Sequence, residues 1–225
     1  KAKFFIVDHK LRLGSSREAK QVKLILKKYK IDAQILTWKG KKPYSNIQSL
    51  ARKERYRLIY KECDRFNINH ILLGHHQDDL IENFFIRMLR GSGLKGLISL
   101  DKANTINNKN LLRPLLNQKK ENLKFFSKFI FDSYVDDPSN KEKKYQRVRV
   151  RNFIEDLKKE GLDEKKFINT IKNLKSSNYA IRFYVEKNLQ ENSFFSITKN
   201  KLILNKNFFQ QPHEIVLRSL SDSIK

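Results

Sequence analysis

Three short apolar runs, each followed by a stretch with helical spacing, constrain this chain more than any other feature. "AKFFIV" (Ala2 to Val7), "DAQILTW" (Asp32 to Trp38) and "HILLG" (His70 to Gly74) read as buried strands. After the first, "SSREAKQVKLILKKYK" offers Ser15 or Ser16 as N-cap, Glu18 in the first turn, and Ala19, Val22, Leu26 and Tyr29 on one face. After the second, a loop with Gly40 and Pro43 leads into a helix from Ile47 to Phe66. After the third, Leu80, Ile81, Phe84, Phe85, Met88 and Leu89 mark a helix from Asp78 to Arg90. Strand and helix alternate three times, which predicts an α/β domain built on a parallel, doubly wound sheet.

Beyond Gly91 the pattern loosens into a loop rich in Asn and Lys, followed by "LLRPLL" (Leu111 to Leu116) and a helix through "KKENLKFFSKFIF". "DDPSN" (Asp136 to Asn140) is a turn cluster that marks a seam. Helices then cover most of Val148 to Asn192, broken at Gly161, before a hairpin of "SFFSIT" and "KLILN" and a last helix from Pro212. The expected organisation is an α/β domain over residues 1–145 and a smaller, mostly helical domain over 146–225.

Charge narrows the function classes. Lys and Arg number 48 against 24 Asp and Glu, a net charge of +24. Such an excess suits a polyanion, most often nucleic acid, although a Lys-rich proteome would supply part of it. No run of about 18 apolar residues occurs and the basic start has no secretory pattern, so a cytoplasmic chain without a membrane segment is expected. The one cysteine, Cys63, excludes an internal disulfide and reads as a buried small residue.

"GHHQDDLIENFFIRMLRGSGLKGL" (Gly74 to Leu97) supports three readings. Gly91, Gly93 and Gly96 match a dinucleotide fingerprint only in spacing, because that motif needs its first glycine directly after a strand. Here Gly91 follows a helix, where a C-terminal glycine cap is the simpler account. His75, His76, Asp78, Asp79 and Glu82 instead stand where a strand ends and a helix begins, the ligand-binding edge of open α/β sheets. Asp78 and Glu82 are four apart, Asp79 and Glu82 three, so these acids can share a helical face; hard carboxylates suit magnesium beside phosphate better than zinc. Capping and the helix dipole would account for one acid alone. Arg52 and Arg55 in "NIQSLARKERY" (Asn46 to Tyr56) form either a basic helical face or part of a site. "RVRVR" (Arg147, Arg149, Arg151), after Lys141, Lys143 and Lys144, can fan across a phosphate backbone or make a solvated basic face.

Taken in order, "VDHKLR" (Val7 to Arg12), "NIQSLARKERY", "GHHQDDLIENFFIRMLRGSGLKGL", "LLRPLL", "DDPSN" and "RVRVR" closely resemble the tRNA(Ile)-lysidine synthetase family over residues 7 to 151. The resemblance implies an N-type ATP pyrophosphatase with an adenine nucleotide alpha hydrolase-like sheet. Its partners would be ATP, magnesium, lysine and an isoleucine tRNA with a CAU anticodon, and its members often dimerise. It implies adenylation of the wobble cytidine at its C2 oxygen, then attack on C2 by the lysine ε-amine with release of AMP. By the same resemblance Asp79, Asp78 and Glu82 are the catalytic acids, with Asp79 and Glu82 also facing magnesium. His76, Arg52, Arg55 and Arg113 line the ATP and base pocket; Arg147, Arg149, Arg151, Lys143 and Lys144 bear on tRNA. Ile6 and Lys10 replace the His and Gly usual in the family's first motif. Its S-G-G-x-D-S phosphate loop is expected upstream of Lys1, which makes this chain an inactive fragment by itself. A tRNA-thiolating pyrophosphatase and a non-catalytic tRNA-binding remnant are the alternatives.

Overall fold

The computed structural model describes residues 2–40, 47–135, 142, 144–196, 198 and 200–224. Pro43, Asn46, the "DDPSN" turn, Lys141 and Lys143 lie outside the described residues. The element order is β1 (Phe4–Asp8), α1 (Ser15–Lys28), β2 (Ala33–Thr37), α2 (Ile47–Arg65), β3 (His70–Leu72), α3 (Gln77–Met88), α4 (Leu94–Leu97), β4 (Ala103–Ile106), β5 (Lys109–Leu112) and α5 (Lys120–Phe131). It continues with α6 (Gln146–Lys159), α7 (Glu164–Asn192), β6 (Ser193–Ser196), β7 (Lys201–Leu204), α8 (Lys206–Phe209) and α9 (His213–Ser223). The chain divides into two compact units, residues 1–80 with 101–148, and residues 81–100 with 149–225.

In the first unit β1 and β2 pair in parallel, Phe4 opposite Ala33 through Asp8 opposite Thr37. β3 and β5 pair in parallel, His70 opposite Asn110 through Leu72 opposite Leu112, and β4 runs antiparallel on the other side of β5. Leu36, Ile59, Cys63, Ile71 and Leu111 form the core between strands and α2. The expected alternation and parallel pairing are therefore present, and Cys63 is buried and free of disulfide. The Asn- and Lys-rich stretch is not a loop. Asn107 and Asn108 both adopt positive φ, 50° and 58°, which turns "NTINNKN" into a tight hairpin; asparagine tolerates that geometry better than other side chains.

The start of α1 also departs from expectation. Gly14, at φ 93°, occupies the N-cap position and makes no side-chain cap, while both candidate serines turn toward Asp8 at the end of β1. A buried carboxylate at the strand end outcompetes the helix's own N–H groups for those hydroxyls.

The second unit is mostly helical. Ile81, Phe85, Val150 and Ile154 form its core with Phe167, whose ring stacks on Phe85 at 5.1 Å between centroids. Asp163 caps α7 by accepting from the N–H groups of Lys165 and Lys166. Gly91, at φ 68°, ends α3 by donating to the Met88 carbonyl, so the glycines of the Gly74–Leu97 segment terminate a helix rather than cradle a dinucleotide. Buried Asn188 donates to Ser219 Oγ and accepts from Asn192, which fixes the register of α9 on α7 with polar groups that have no place elsewhere in that core. No helix among the described residues is long and apolar enough to cross a membrane.

Candidate active site

At the C-terminal end of β1, Asp8 is 4% exposed and takes hydrogen bonds from Ser15 Oγ (2.8 Å), Ser16 Oγ (2.5 Å) and the Lys10 N–H (3.0 Å). Burial pushes its carboxyl upward, but these donors outweigh burial and hold it below its ordinary value. Lys10, at φ 52°, makes the sharp exit that lets its N–H reach back, a position where the family's glycine would be unstrained.

At the end of β3 the chain turns through His75 and His76 into α3. Asp79, 8% exposed, accepts from the His76 N–H at 3.0 Å and lies 3.4 Å from His76 Nε2. Asp78 accepts from the Lys120 N–H, the first residue of α5, at 3.2 Å, and lies 3.6 Å from His76 Nδ1. Burial works against charging Asp78, yet His76 and the Lys120 N–H prevail and bring its pKa down to about 2. Burial likewise opposes charge on His76, but the two aspartates overcome it and raise its pKa. His75 is the reverse case. Desolvation and the nearby Arg113, Arg52 and Arg147 outweigh Asp79 and push its pKa down to about 4, so His75 is neutral where His76 is biased toward imidazolium.

Four guanidinium groups surround this edge. Arg113, just past β5 and 4% exposed, donates through Nη1 to the Asp101 carbonyl and Asn104 Oδ1, while its buried Nε has no partner. Arg52 lies over the Tyr56 ring, and Arg55 donates to His9 Nε2 at 3.4 Å. Desolvation, followed by the like charges of Arg52 and Arg147, depresses the Arg55 guanidinium, and desolvation with Arg55 depresses His9. Buried Nδ1 atoms of His9 and His75 also lack partners. Clustered cations with orphaned polar atoms are what an anionic, hydrogen-bonding ligand would satisfy.

The structure therefore brings together Asp78, Asp79, His76, Arg52, Arg55, Arg113 and Arg147, all within the first unit. It adds Asp8, His9 and His75, whose signal in the sequence is an Asp-His pair at one strand end and a His-His pair at another. Glu82, in the second unit, belongs to different chemistry: Arg151 Nε binds Glu82 Oε1 at 2.5 Å and Nη2 binds Oε2 at 3.3 Å, a two-point ion pair whose carboxylate is 3% exposed. Of the basic residues read as facing RNA, Arg149 is exposed and Lys144, also exposed, pairs with Glu142. Among the described residues no group of three or more His, Cys, Asp or Glu side chains is placed to hold a metal ion. The fit to magnesium is thus incomplete, and any such ion would have to be held largely by the phosphates it accompanies.

The pattern of the PP-loop domain matches residues 1–158. The chain belongs to the PP-loop family. A tRNA(Ile)-lysidine synthase of Orientia tsutsugamushi is 41% identical over 151 residues, covering 67% of this chain and 34% of that protein. One from Wolbachia sp. subsp. Brugia malayi is 32% identical over 225 residues, covering 97% of this chain and 51% of its own length. The chain thus spans about half or less of the curated relatives it matches. In three dimensions it is similar to the U34-tRNA thiolase NcsA of Methanococcus maripaludis, with a TM-score of 0.60 at 13% identity over 76% of this chain and 59% of that one. That likeness shows the fold, and with the family match it establishes a PP-loop, adenine nucleotide alpha hydrolase-like architecture.

Proposed function

We propose that this chain carries the catalytic edge of a tRNA(Ile)-lysidine synthase, which joins lysine to C2 of the wobble cytidine of an isoleucine tRNA at the expense of ATP. The observation that carries the reading is the set of four arginines and orphaned polar atoms facing the acidic start of α3, in a chain whose relatives bear that name. In the first step the C2 oxygen of the base attacks the α-phosphorus of ATP and pyrophosphate leaves. In the second the lysine ε-amine attacks C2, the C2–O bond breaks, and AMP departs with that oxygen.

Arg52, Arg55, Arg113 and Arg147 would offset the phosphate charge and that developing on the leaving AMP. Asp79 would orient the incoming amine and accept its proton, held in place by the His76 N–H. His75, kept neutral, could accept a hydrogen bond without adding to the positive field. Magnesium would arrive with ATP and neutralise phosphate charge; no step here depends on its position. Cys63 is buried in the core and burial pushes its thiol pKa up, so that residue is not suited to carry sulfur.

The test is incubation of the complete gene product carrying this chain with ATP, labelled lysine and a CAU-anticodon tRNA transcript. Label in the RNA with matching AMP release is expected. AMP release without label, or neither, would overturn the reading.

A further inference from the structure

Arg113 is a buried cation that the chain leaves unneutralised. It is 4% exposed, yet among the described residues no carboxylate lies in ion-pair range of it. Its anchors are two neutral oxygens, both on Nη1: the Asp101 carbonyl at 2.7 Å and Asn104 Oδ1 at 2.6 Å. Asp101 offers its carbonyl there, while its carboxylate accepts from the Lys102 N–H. A charge taken out of water without a counter-charge is costly, so this guanidinium is held for a partner that the β4–β5 hairpin does not supply.

The anchored atom decides which edge stays open. A guanidinium can grip an oxyanion end-on through Nη1 and Nη2, or side-on through Nε and Nη2. Both protons of Nη1 are taken by the hairpin, which removes the end-on fork. Nε is buried without a partner and Nη2 has none among the described residues, so the side-on fork is intact. Asn104 controls that choice: it stands on β4 opposite Leu111 and reaches across the hairpin to Arg113, just past the end of β5.

We propose that Asn104 is a positioning residue of this site, holding Nη1 so that Nε and Nη2 of Arg113 take the two oxygens of one anionic group, the α-carboxylate of the lysine substrate. This deepens the reading above and rests on it for the lysine. A carboxylate has two oxygens in one plane and is saturated by one fork, whereas a phosphate chain spreads its charge over many oxygens and suits the wider set of arginines. After desolvation, Asp79 and Arg113 act most strongly on His75, in opposite directions, so an anion and a cation both stand close to one neutral ring. A molecule with an amine at one end and a carboxylate at the other answers both, while ATP answers only the cation. A phosphate of ATP shares the two-oxygen chemistry and is the competing source, which the test separates.

The test measures KM for lysine and KM for ATP separately, in the labelled-lysine assay of the complete gene product carrying this chain. Asn104→Ala should raise KM for lysine about tenfold, with kcat and KM for ATP each within about threefold of the parent. Arg113→Lys keeps the charge but cannot fork, and should raise KM for lysine at least as much. Asn104 is only half-buried, so its variant carries the test even where Arg113→Lys fails to fold. Thr105→Ala removes a hairpin hydrogen bond to Asn110 that does not involve Arg113, and as the control for a loosened hairpin it should leave both KM values in place. A rise confined to KM for ATP would overturn the carboxylate and give the fork to a phosphate. Equal rises for both substrates, the same rise in Thr105→Ala, or unchanged values in Asn104→Ala would overturn the positioning role while lysine labelling by the parent still stood. No labelling by the parent would refute the reading above and this inference with it.

Discussion

Charged groups in the helices of the second unit are handled differently from those at the strand edge of the first, although α2 in the first unit also holds the local pairs Arg57–Glu54 and Arg65–Glu62. In the helices of the second unit they pair along the chain: Arg182 with Glu186, Lys187 with Glu191, Arg218 with Glu214, Lys158 with Glu155 and Lys159 with Asp156. Each pair is three or four residues apart, so helical geometry alone brings opposite charges together. In the first unit Arg52 and Arg55 have no acid three or four residues away on either side, and Arg113 and Arg147 reach them from other elements. A helix whose charges balance locally is indifferent to what lies beyond it. A strand edge whose cations have no local acid is unsatisfied until an anion arrives, and it is there that burial and like charge move pKa values.

Asp79→Asn should break this contrast most severely. It keeps the helix start but removes the carboxylate held by the His76 N–H, and we expect ATP-to-AMP turnover to fall by about 10²–10⁴-fold in the complete gene product, with RNA affinity nearly unchanged. Unchanged turnover would place the essential acid elsewhere, and Asp8 would be tested next.

Arg151→Met probes the opposite case within the second unit, a pair whose partners are 69 residues apart and on different helices. It leaves a buried carboxylate short of its two-point partner, and urea unfolding should show a loss of about 3 kcal/mol. Arg149→Gln, two residues earlier and exposed, should leave stability alone and lower only the salt dependence of RNA binding. The reverse outcome would mean that Arg151 serves RNA and Glu82 has other support.

The histidine pair gives a smaller, signed effect. His75 has a folded pKa of about 4 against an ordinary 6.5, so between those values the unfolded chain takes a proton that the folded chain refuses, and stability falls as pH drops through that window. His75→Gln should flatten stability between pH 6.5 and 4. His76, raised by Asp78 and Asp79, acts in the opposite sense: its contribution is full below 6.5 and is lost as pH rises through its folded value. Asp78, depressed to about 2, adds stability present above 3.8 and lost on acidification toward 2, so Asp78→Asn should remove a step in that lowest range. Chemical unfolding at fixed pH values measures all three, and a His75→Gln profile identical to the parent's would refute the assignment of a neutral His75.

The smallest expected effect is Lys159→Gln, which removes an exposed pair with Asp156. It should shift stability by less than about 0.5 kcal/mol, and a larger loss would show that the local pairs do more than helical spacing requires.

Short apolar runs and helical spacing were enough to read β1, β2, β3 and the helices after them, because burial of strands and one-sided helix faces imprint directly on residue order. The acidic start of α3 was legible for the same reason, since a strand end followed by a helix is a local event. The hairpin at Asn107 and Asn108 was obscured by polar composition, because two asparagines at positive φ make a turn as surely as glycine does. The role of Asp8 was also hidden, since two serines that look like helix caps serve it instead.

By itself the sequence determined the α/β order, the placement of His75 to Asp79 at a strand edge, the excess of positive charge and the burial of Cys63, all consequences of neighbours within a few residues. Only the tertiary structure decided that Arg52, Arg55, Arg113 and Arg147 share one electrostatic environment, that His75 and His76 titrate in opposite directions, and that Glu82 answers to Arg151. Those outcomes depend on desolvation and on charges brought close from distant parts of the chain, and neither is written in local order.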